Sequence, residues 1–307
     1  MTRTAFVFPG QGSQTPGMLK ELAQSYPEVE KTFNEASQAL GYDLWDVVQN
    51  DSNNKLNETH VTQPALLTAS VAIFRVLQQQ GITADFMAGH SLGEYSALVC
   101  AGTLEFPAAV KLVEARGQFM QQAVPAGAGA MFAIIGLDDD KIRDICQQTA
   151  ISTGEVVAPV NYNSPGQVVI AGEKSATSQA AQACKDAGAK RALPLSVSVP
   201  SHCELMRPAA DKLEEALEAL TLNTPEVDVV NNVDVRVEQD VAKIRDALIR
   251  QLYCPVQWTD SVKYLASQNV ERIIEVGPGK VLTGLIKRID KSIQAVAVNT
   301  PASLETL

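Results

Sequence analysis

The sequence predicts an α/β fold, a mostly parallel sheet interrupted by a small βαββαβ domain, on three observations. Apolar strands alternate with helical stretches along most of the 307 residues. Three strands run straight into glycine-containing loops, at 9–14, 89–93 and 277–280, where an α/β sheet gathers its site. Between 127 and 196 the rhythm changes to strand-helix-strand-strand-helix-strand, which is the ferredoxin-like arrangement.

Each element has its own signal. Residues 4–8 (Thr-Ala-Phe-Val-Phe) read as a buried strand, closed by Pro9-Gly10-Gln11-Gly12. Helical patterns follow at about 18–40 and 61–80, then a strand over 85–89, then helices near 92–101 and 105–123. Pro125, Gly127 and Gly129 have the composition of a hinge. A strand over 130–137 leads to a helix opened by Asp138-Asp139-Asp140, acids suited to a helix N-terminus. Strands over 156–162 and 167–171 are joined by Asn163-Ser164-Pro165-Gly166, and a helix over 174–187 precedes a strand over 190–195. Beyond them come a helix over 204–220, a strand over 227–231, helices over 240–252 and 258–268, a strand over 271–276 and one more helix. The expected domains are therefore a large one, 1–126 with 197–307, and an inserted small one, 127–196.

Bulk properties narrow the function classes. With 46% hydrophobic and 20% charged residues the chain is ordinary globular material. A formal net charge of −10 argues against nucleic acid or an anionic membrane as the main partner. Five cysteines without metal-ligand spacing read as buried thiols in a reducing compartment, with no metal and no redox cofactor expected. The first ten residues do not form a signal peptide, and the apolar run 64–74 reads as a core helix. A soluble, cytoplasmic monomer is expected.

The chemistry centres on Gly89-His90-Ser91-Leu92-Gly93. A serine on a tight turn between strand and helix is the nucleophile-elbow pattern, which lifts the hydroxyl over the end of the sheet. Of three histidines, His90 neighbours Ser91 and should face away from it, while His60 lies in a polar stretch. His202, in Val199-Pro200-Ser201-His202, enters a helix from a stiff extended segment and is the preferred general base. No acid stands in a convincing loop between Ser91 and His202, so a carbonyl or amide around Arg250-Gln251-Leu252 is the alternative orienting group. The Gly10-Gln11-Gly12 loop lacks the third glycine of a dinucleotide fingerprint and the Gly-Lys-Ser/Thr of a P-loop. It reads either as an oxyanion loop, with the Gln11 and Leu92 amides as donors, or as a flexible turn. Arg116 falls inside the apolar stripe Ala109, Leu112, Val113, Phe119, Met120. A buried guanidinium needs an anion, either a carboxylate such as Glu94 or one carried by the substrate.

Taken jointly, Phe8–Gln14, Gly89–Glu94, Arg116, Val199–His202, Asn161–Gly166 and Glu275–Lys280 resemble the bacterial malonyl-CoA:acyl carrier protein transacylases, nearly end to end. The resemblance implies a hydrolase-like domain with a ferredoxin-like insertion, and a ping-pong transfer from malonyl-CoA to holo acyl carrier protein. It implies a malonyl ester on Ser91, His202 as base and then acid, Gln251 as the histidine-orienting element, and Arg116 on the malonyl carboxylate. Asn161 and Asn163 fall in its substrate-binding segment. One departure concerns Ser201, where related malonyl-selective polyketide acyltransferases often carry Phe, so exclusion of methylmalonyl is not implied. Segment 127–196 carries six basic and seven acidic residues, leaving −9 on the rest. Its Lys190 and Arg191, with Arg207, Lys287 and Arg288, read either as a patch for coenzyme A phosphates and the acidic carrier or as scattered solubilising charge. A serine hydrolase with the same elbow is the competing enzyme class. A non-catalytic docking module is disfavoured because serine, histidine and both oxyanion candidates are present.

Overall fold

The computed structural model describes residues 3–196 and 199–307. In chain order it places β1 (Arg3–Phe8), α1 (Lys20–Ser25), α2 (Glu28–Leu40), α3 (Leu44–Asn50), α4 (Thr59–Gln79), β2 (Phe86–Gly89), α5 (Leu92–Cys100) and α6 (Phe106–Ala123). The middle holds β3 (Gly129–Ile135), α7 (Asp139–Thr153), β4 (Val157–Ser164), β5 (Gln167–Glu173), α8 (Lys174–Asp186) and β6 (Arg191–Pro194). After a 3-10 turn at Glu204–Met206 come α9 (Arg207–Glu218), β7 (Asp228–Val230), α10 (Val241–Gln251), α11 (Trp258–Ser267), β8 (Val270–Val276), α12 (Val281–Ile289), β9 (Gln294–Val298) and α13 (Pro301–Leu304).

The larger sheet has the order β7-β2-β1-β8-β9, and every neighbouring pair is parallel. Strand alternation explains its two cores. Phe6 and Phe8 of β1 join the cluster under α2, α4, α5 and α6, whereas Ala5 and Val7 join the one that holds Trp258, Leu265, Leu285 and Ile286. Helix α4 is long and apolar enough to cross a membrane, yet most of it is buried within the protein.

The smaller sheet, β4-β5-β3-β6, is antiparallel throughout. Helices α7 and α8 cover one of its faces through Ile142, Cys146, Ala180 and Cys184. Met131, Val169 and Ala171 on the other face pack with Cys203, beside His202. Backbone ties the smaller sheet to the segment between α10 and α11: Val256 N–H donates to Val160 (2.9 Å) and Tyr162 N–H donates to Val256 (3.0 Å).

Three expectations are corrected. The helix expected over 18–40 is two helices, because Pro27 disfavours helical backbone at Tyr26, which is extended (φ −131°). Helices α3 and α13 were not foreseen, although Asp43 caps the first by accepting from Asp46 N–H and Thr300 the second by accepting from Ser303 N–H. The strand β9 was missed because Gln-Ala-Val-Ala-Val is short and rich in small residues. By contrast Asp138 caps α7 as read, accepting from Asp140 and Lys141 N–H. The boundary expected between 196 and 197 touches residues 197 and 198, which lie outside the described residues.

Candidate active site

The elbow is built by close backbone approach. A Cβ on Gly89 would collide with the Gly93 backbone, and one on Gly93 with the carbonyl oxygen of Phe8. Ser91 between them sits at φ 52°, ψ −110°, a conformation that L-residues rarely adopt. His202 is likewise at positive φ, 64°. Each such residue costs about 1–3 kcal/mol and persists only where its surroundings over-determine it.

Those surroundings bring the pair together. Ser91 Oγ lies 2.8 Å from His202 Nε2, across 111 residues of sequence. His202 Nδ1 is 2.6 Å from the backbone carbonyl of Gln251, so Nδ1 carries the proton and Nε2 offers its lone pair to the serine. His202 N–H also donates to the Leu252 carbonyl (3.0 Å), fixing the backbone that carries the ring. Burial, and then the nearby Arg116 charge, push the imidazole pKa down to about 3. The ring is therefore neutral at physiological pH, the state a general base needs.

Gln251 links the groups. Its side-chain Nε2 donates to the Ser91 carbonyl (3.0 Å) and to Glu94 Oε2 (2.7 Å), while its Oε1 accepts from Arg116 Nη2 (2.9 Å). Arg116 is 1% exposed and also donates from Nη1 to Gln63 Oε1 (2.8 Å). Its Nε has no partner, and no carboxylate lies within ion-pair distance among the described residues. Of the two anions considered for it, Glu94 is thus reached only through Gln251. Burial pushes the Glu94 carboxyl up to about 7.

A cavity of about 340 Å³ opens onto these groups. Gln11, Gln63, Ser91, Leu92, Arg116, Ser201 and His202 line it, with Asn161 and Met131 from the small sheet and Leu195 just past β6. The Gln11 loop is held rather than loose: Gly12 N–H donates to Gln14 Oε1 (2.8 Å), and Gln14 Nε2 donates to Asn57 Oδ1 (2.9 Å). Among the described residues neither Gln11 nor Leu92 N–H donates to a protein group, so both are available to an oxyanion. Asn161 reaches the cavity, and its Oδ1 has no partner among the described residues. Asn163 does not line it; its Oδ1 lies 2.8 Å from Nε2 of His90, whose ring packs on Trp258.

The five surface cations do not form one patch. Arg191 pairs with Ile135, at the opposite end of β3 from the cavity-lining Met131. Arg288 donates to Gln167, which pairs with that same Ile135 (2.6 Å for the side-chain bond), and the Lys190 side chain lies against Gly136, so Lys190, Arg191 and Arg288 lie towards that end, with Lys287 preceding Arg288 on α12. Arg207 stands apart, bound to Glu204 (2.6 Å) and stacked over Tyr253. Sequence reasoning missed Gln63 and Asn232. A glutamine followed by proline inside an otherwise apolar run was a readable signal for the first. Asn232 had none beyond following a strand.

Residues 5–304 match the acyl transferase domain family. An Escherichia coli K12 protein described as a malonyl CoA-acyl carrier protein transacylase is 65% identical over 99% of this chain and 98% of its own. A malonyl-transacylase solved in complex with a type II PKS acyl-carrier protein superposes with a TM-score of 0.98 at 59% identity, over 99% of this chain and 98% of that one. A Vibrio cholerae acyl carrier protein S-malonyltransferase gives 0.97 at 62%, covering 99% of both chains.

Proposed function

The chain belongs to the acyl transferase family and, within it, to the malonyl CoA-acyl carrier protein transacylases, and from that premise we propose that it moves malonyl from malonyl-CoA to the phosphopantetheine thiol of acyl carrier protein through an ester on Ser91. The observation that carries the proposal is a neutral His202 within 2.8 Å of Ser91 Oγ, in one cavity with a buried Arg116 that has no carboxylate of its own among the described residues. Ser91 Oγ attacks the thioester carbonyl and passes its proton to His202 Nε2. The Gln11 and Leu92 amides stabilise the oxyanion. As the tetrahedral adduct collapses, coenzyme A leaves as thiolate and takes the proton from His202. The carrier thiol then repeats the sequence in reverse.

A carbonyl in place of a carboxylate behind His202 stabilises the imidazolium less, which suffices because a thiolate leaves readily. Arg116 holds the malonyl carboxylate through its free N–H groups. That anion also offsets one of the charges that depress His202, so an acid-bearing acyl group raises the basicity of its own catalyst. The order and direction of the small sheet, with both helices on one face, support reading 127–196 as a ferredoxin-like insertion in a hydrolase-like domain. Lys190, Arg191, Lys287 and Arg288 are assigned to the coenzyme A phosphates and the acidic carrier, whose long pantetheine arm spans from cavity to surface. Five free thiols suit a cytoplasmic enzyme acting without a resident cofactor.

Intact-protein mass spectrometry tests the reading. Malonyl-CoA alone should give a malonyl adduct that is stable in water, is absent in Ser91→Ala, and moves to added holo carrier protein. Arg116→Ala should form it on the order of 10²-fold more slowly or worse. An adduct that decays to malonate before the carrier is added would make the protein a hydrolase instead.

A further inference from the structure

We propose that Asn232 is the positioning residue of the nucleophile, its side-chain amide standing in for one more residue of β7 and holding Ser91 in its strained conformation. This rests on Ser91 being the nucleophile. β7 pairs with β2 in parallel register, Phe86 with Asp228, Met87 with Val229 and Ala88 with Val230. Continued by two steps, that register sets Asn232 opposite His90. A parallel partner there would donate its N–H to the Gly89 carbonyl and accept from Ser91 N–H.

The Asn232 backbone does neither. Its N–H goes to Glu94 Oε2 (3.1 Å) and its carbonyl accepts from Gln257 N–H (3.1 Å). The side chain makes both ladder bonds instead. Nδ2 donates to the Gly89 carbonyl (2.6 Å), and Oδ1 accepts from Ser91 N–H (2.8 Å). A carbonyl on one side and an N–H on the other leave the amide only one orientation. Asn232 is 1% exposed, so water does not compete for these bonds. On the opposite edge, His90 N–H donates to the Phe8 carbonyl of β1 (3.0 Å).

The ladder thus extends past the end of the strand, over a residue whose φ no longer belongs to a strand. It has two effects on the reaction. The Ser91 backbone is tied at its N–H by Asn232 and at its carbonyl by Gln251, which aims Oγ at His202. And Ser91 N–H is used up, so the donor this turn presents to the oxyanion is Leu92 N–H.

The test is single-turnover acylation by malonyl-CoA, followed by rapid quench and intact mass. Asn232→Ala should lower the acylation rate constant about 10²-fold, the scale of a small misplacement of reacting atoms. Burst amplitude per folded molecule and the KM for malonyl-CoA should hold, because no Arg116 contact is altered. Asn232→Asp keeps an acceptor for Ser91 N–H and loses the donor to Gly89, so a loss of about tenfold is expected, one hydrogen bond's worth. A merely structural role would reduce the amplitude and leave the rate constant unchanged. That result, or a parental rate constant in Asn232→Ala, overturns the proposal. Should Asn232→Ala not fold, a parental rate constant in Asn232→Asp overturns it. Ser91→Ala run alongside separates the two readings: an adduct there removes the nucleophile itself, whereas its absence beside a fast Asn232→Ala removes only the positioning role.

Discussion

Burial pulls two ionisable groups behind the elbow in opposite directions on the pH scale. His202 is pushed down to about 3 from 6.5, so between those values the unfolded chain binds the proton that the folded one refuses, and the fold weakens as pH falls through that window. Glu94 is pushed up to about 7 from 4.5, so there the folded chain binds the extra proton, and stability falls as pH rises from 4.5 to 7. Glu94→Gln removes only the second slope. Its stability relative to the parent should be level below pH 4.5, rise towards 7 and level off above, as read from urea midpoints at pH 4.5, 6 and 8. A flat difference would mean that Glu94 does not titrate in that window. At this scale the sequence was legible where residue type alone suggests a chemistry: Ser91, His202 and Arg116 each stood out, and the structure brings them to one cavity. Asn232 did not, because an asparagine's meaning lies in which backbone groups it faces, and those belong to a strand 140 or so residues away.

Among the elements, the elbow shows why a motif with two fixed glycines need not concern flexibility at all. Gly93 is where α5 presses against the end of β1, and a methyl group there meets the Phe8 carbonyl, which cannot turn aside without breaking the sheet. Gly93→Ala should cost about 3 kcal/mol or more and abolish acylation. Gly284, exposed in α12 with open space around its Cα, is the contrast. Gly284→Ala should stabilise by about 0.5–1 kcal/mol and leave activity unchanged. Thermal or urea unfolding of the two variants reads both effects. Helices α5 and α6 and the hairpin β4–β5 were legible to within a few residues because glycines, prolines and turn residues marked their ends. β9 carried no such punctuation and takes its strand character from β8 beside it.

At the scale of the molecule, the cavity is walled by strands β3 and β4 of the smaller sheet and by loops and helices packed on the larger one, so its shape depends on the seam between them. That seam includes the two backbone bonds at Val256, and Thr259 Oγ1 donates to the Tyr162 carbonyl (3.0 Å). The packing of Met131, Val169 and Ala171 around Cys203 continues it. Urea unfolding followed by tryptophan fluorescence, which reports Trp45 and Trp258 of the larger part, should coincide with unfolding followed by far-ultraviolet circular dichroism, which reports both. Separate midpoints would mean that the small sheet unfolds alone. The two sheets were legible in the sequence through their different rhythms, but not this seam, since pairing between β4 and a segment some 95 residues later leaves no local mark.

The order β7-β2-β1-β8-β9 also dictates how the protein comes into being on the ribosome. β1 is made first, yet one of its two neighbours is made nearly last, so through most of translation the central strand keeps an open edge that invites aggregation or a chaperone. Ser91 emerges early as well, but the groups that bond it and His202, the side chain of Asn232 and the carbonyl of Gln251, are delivered later. Under the proposed mechanism an unfinished chain carries the serine without the means to use it, and catalytic power arrives together with the last third of the polypeptide.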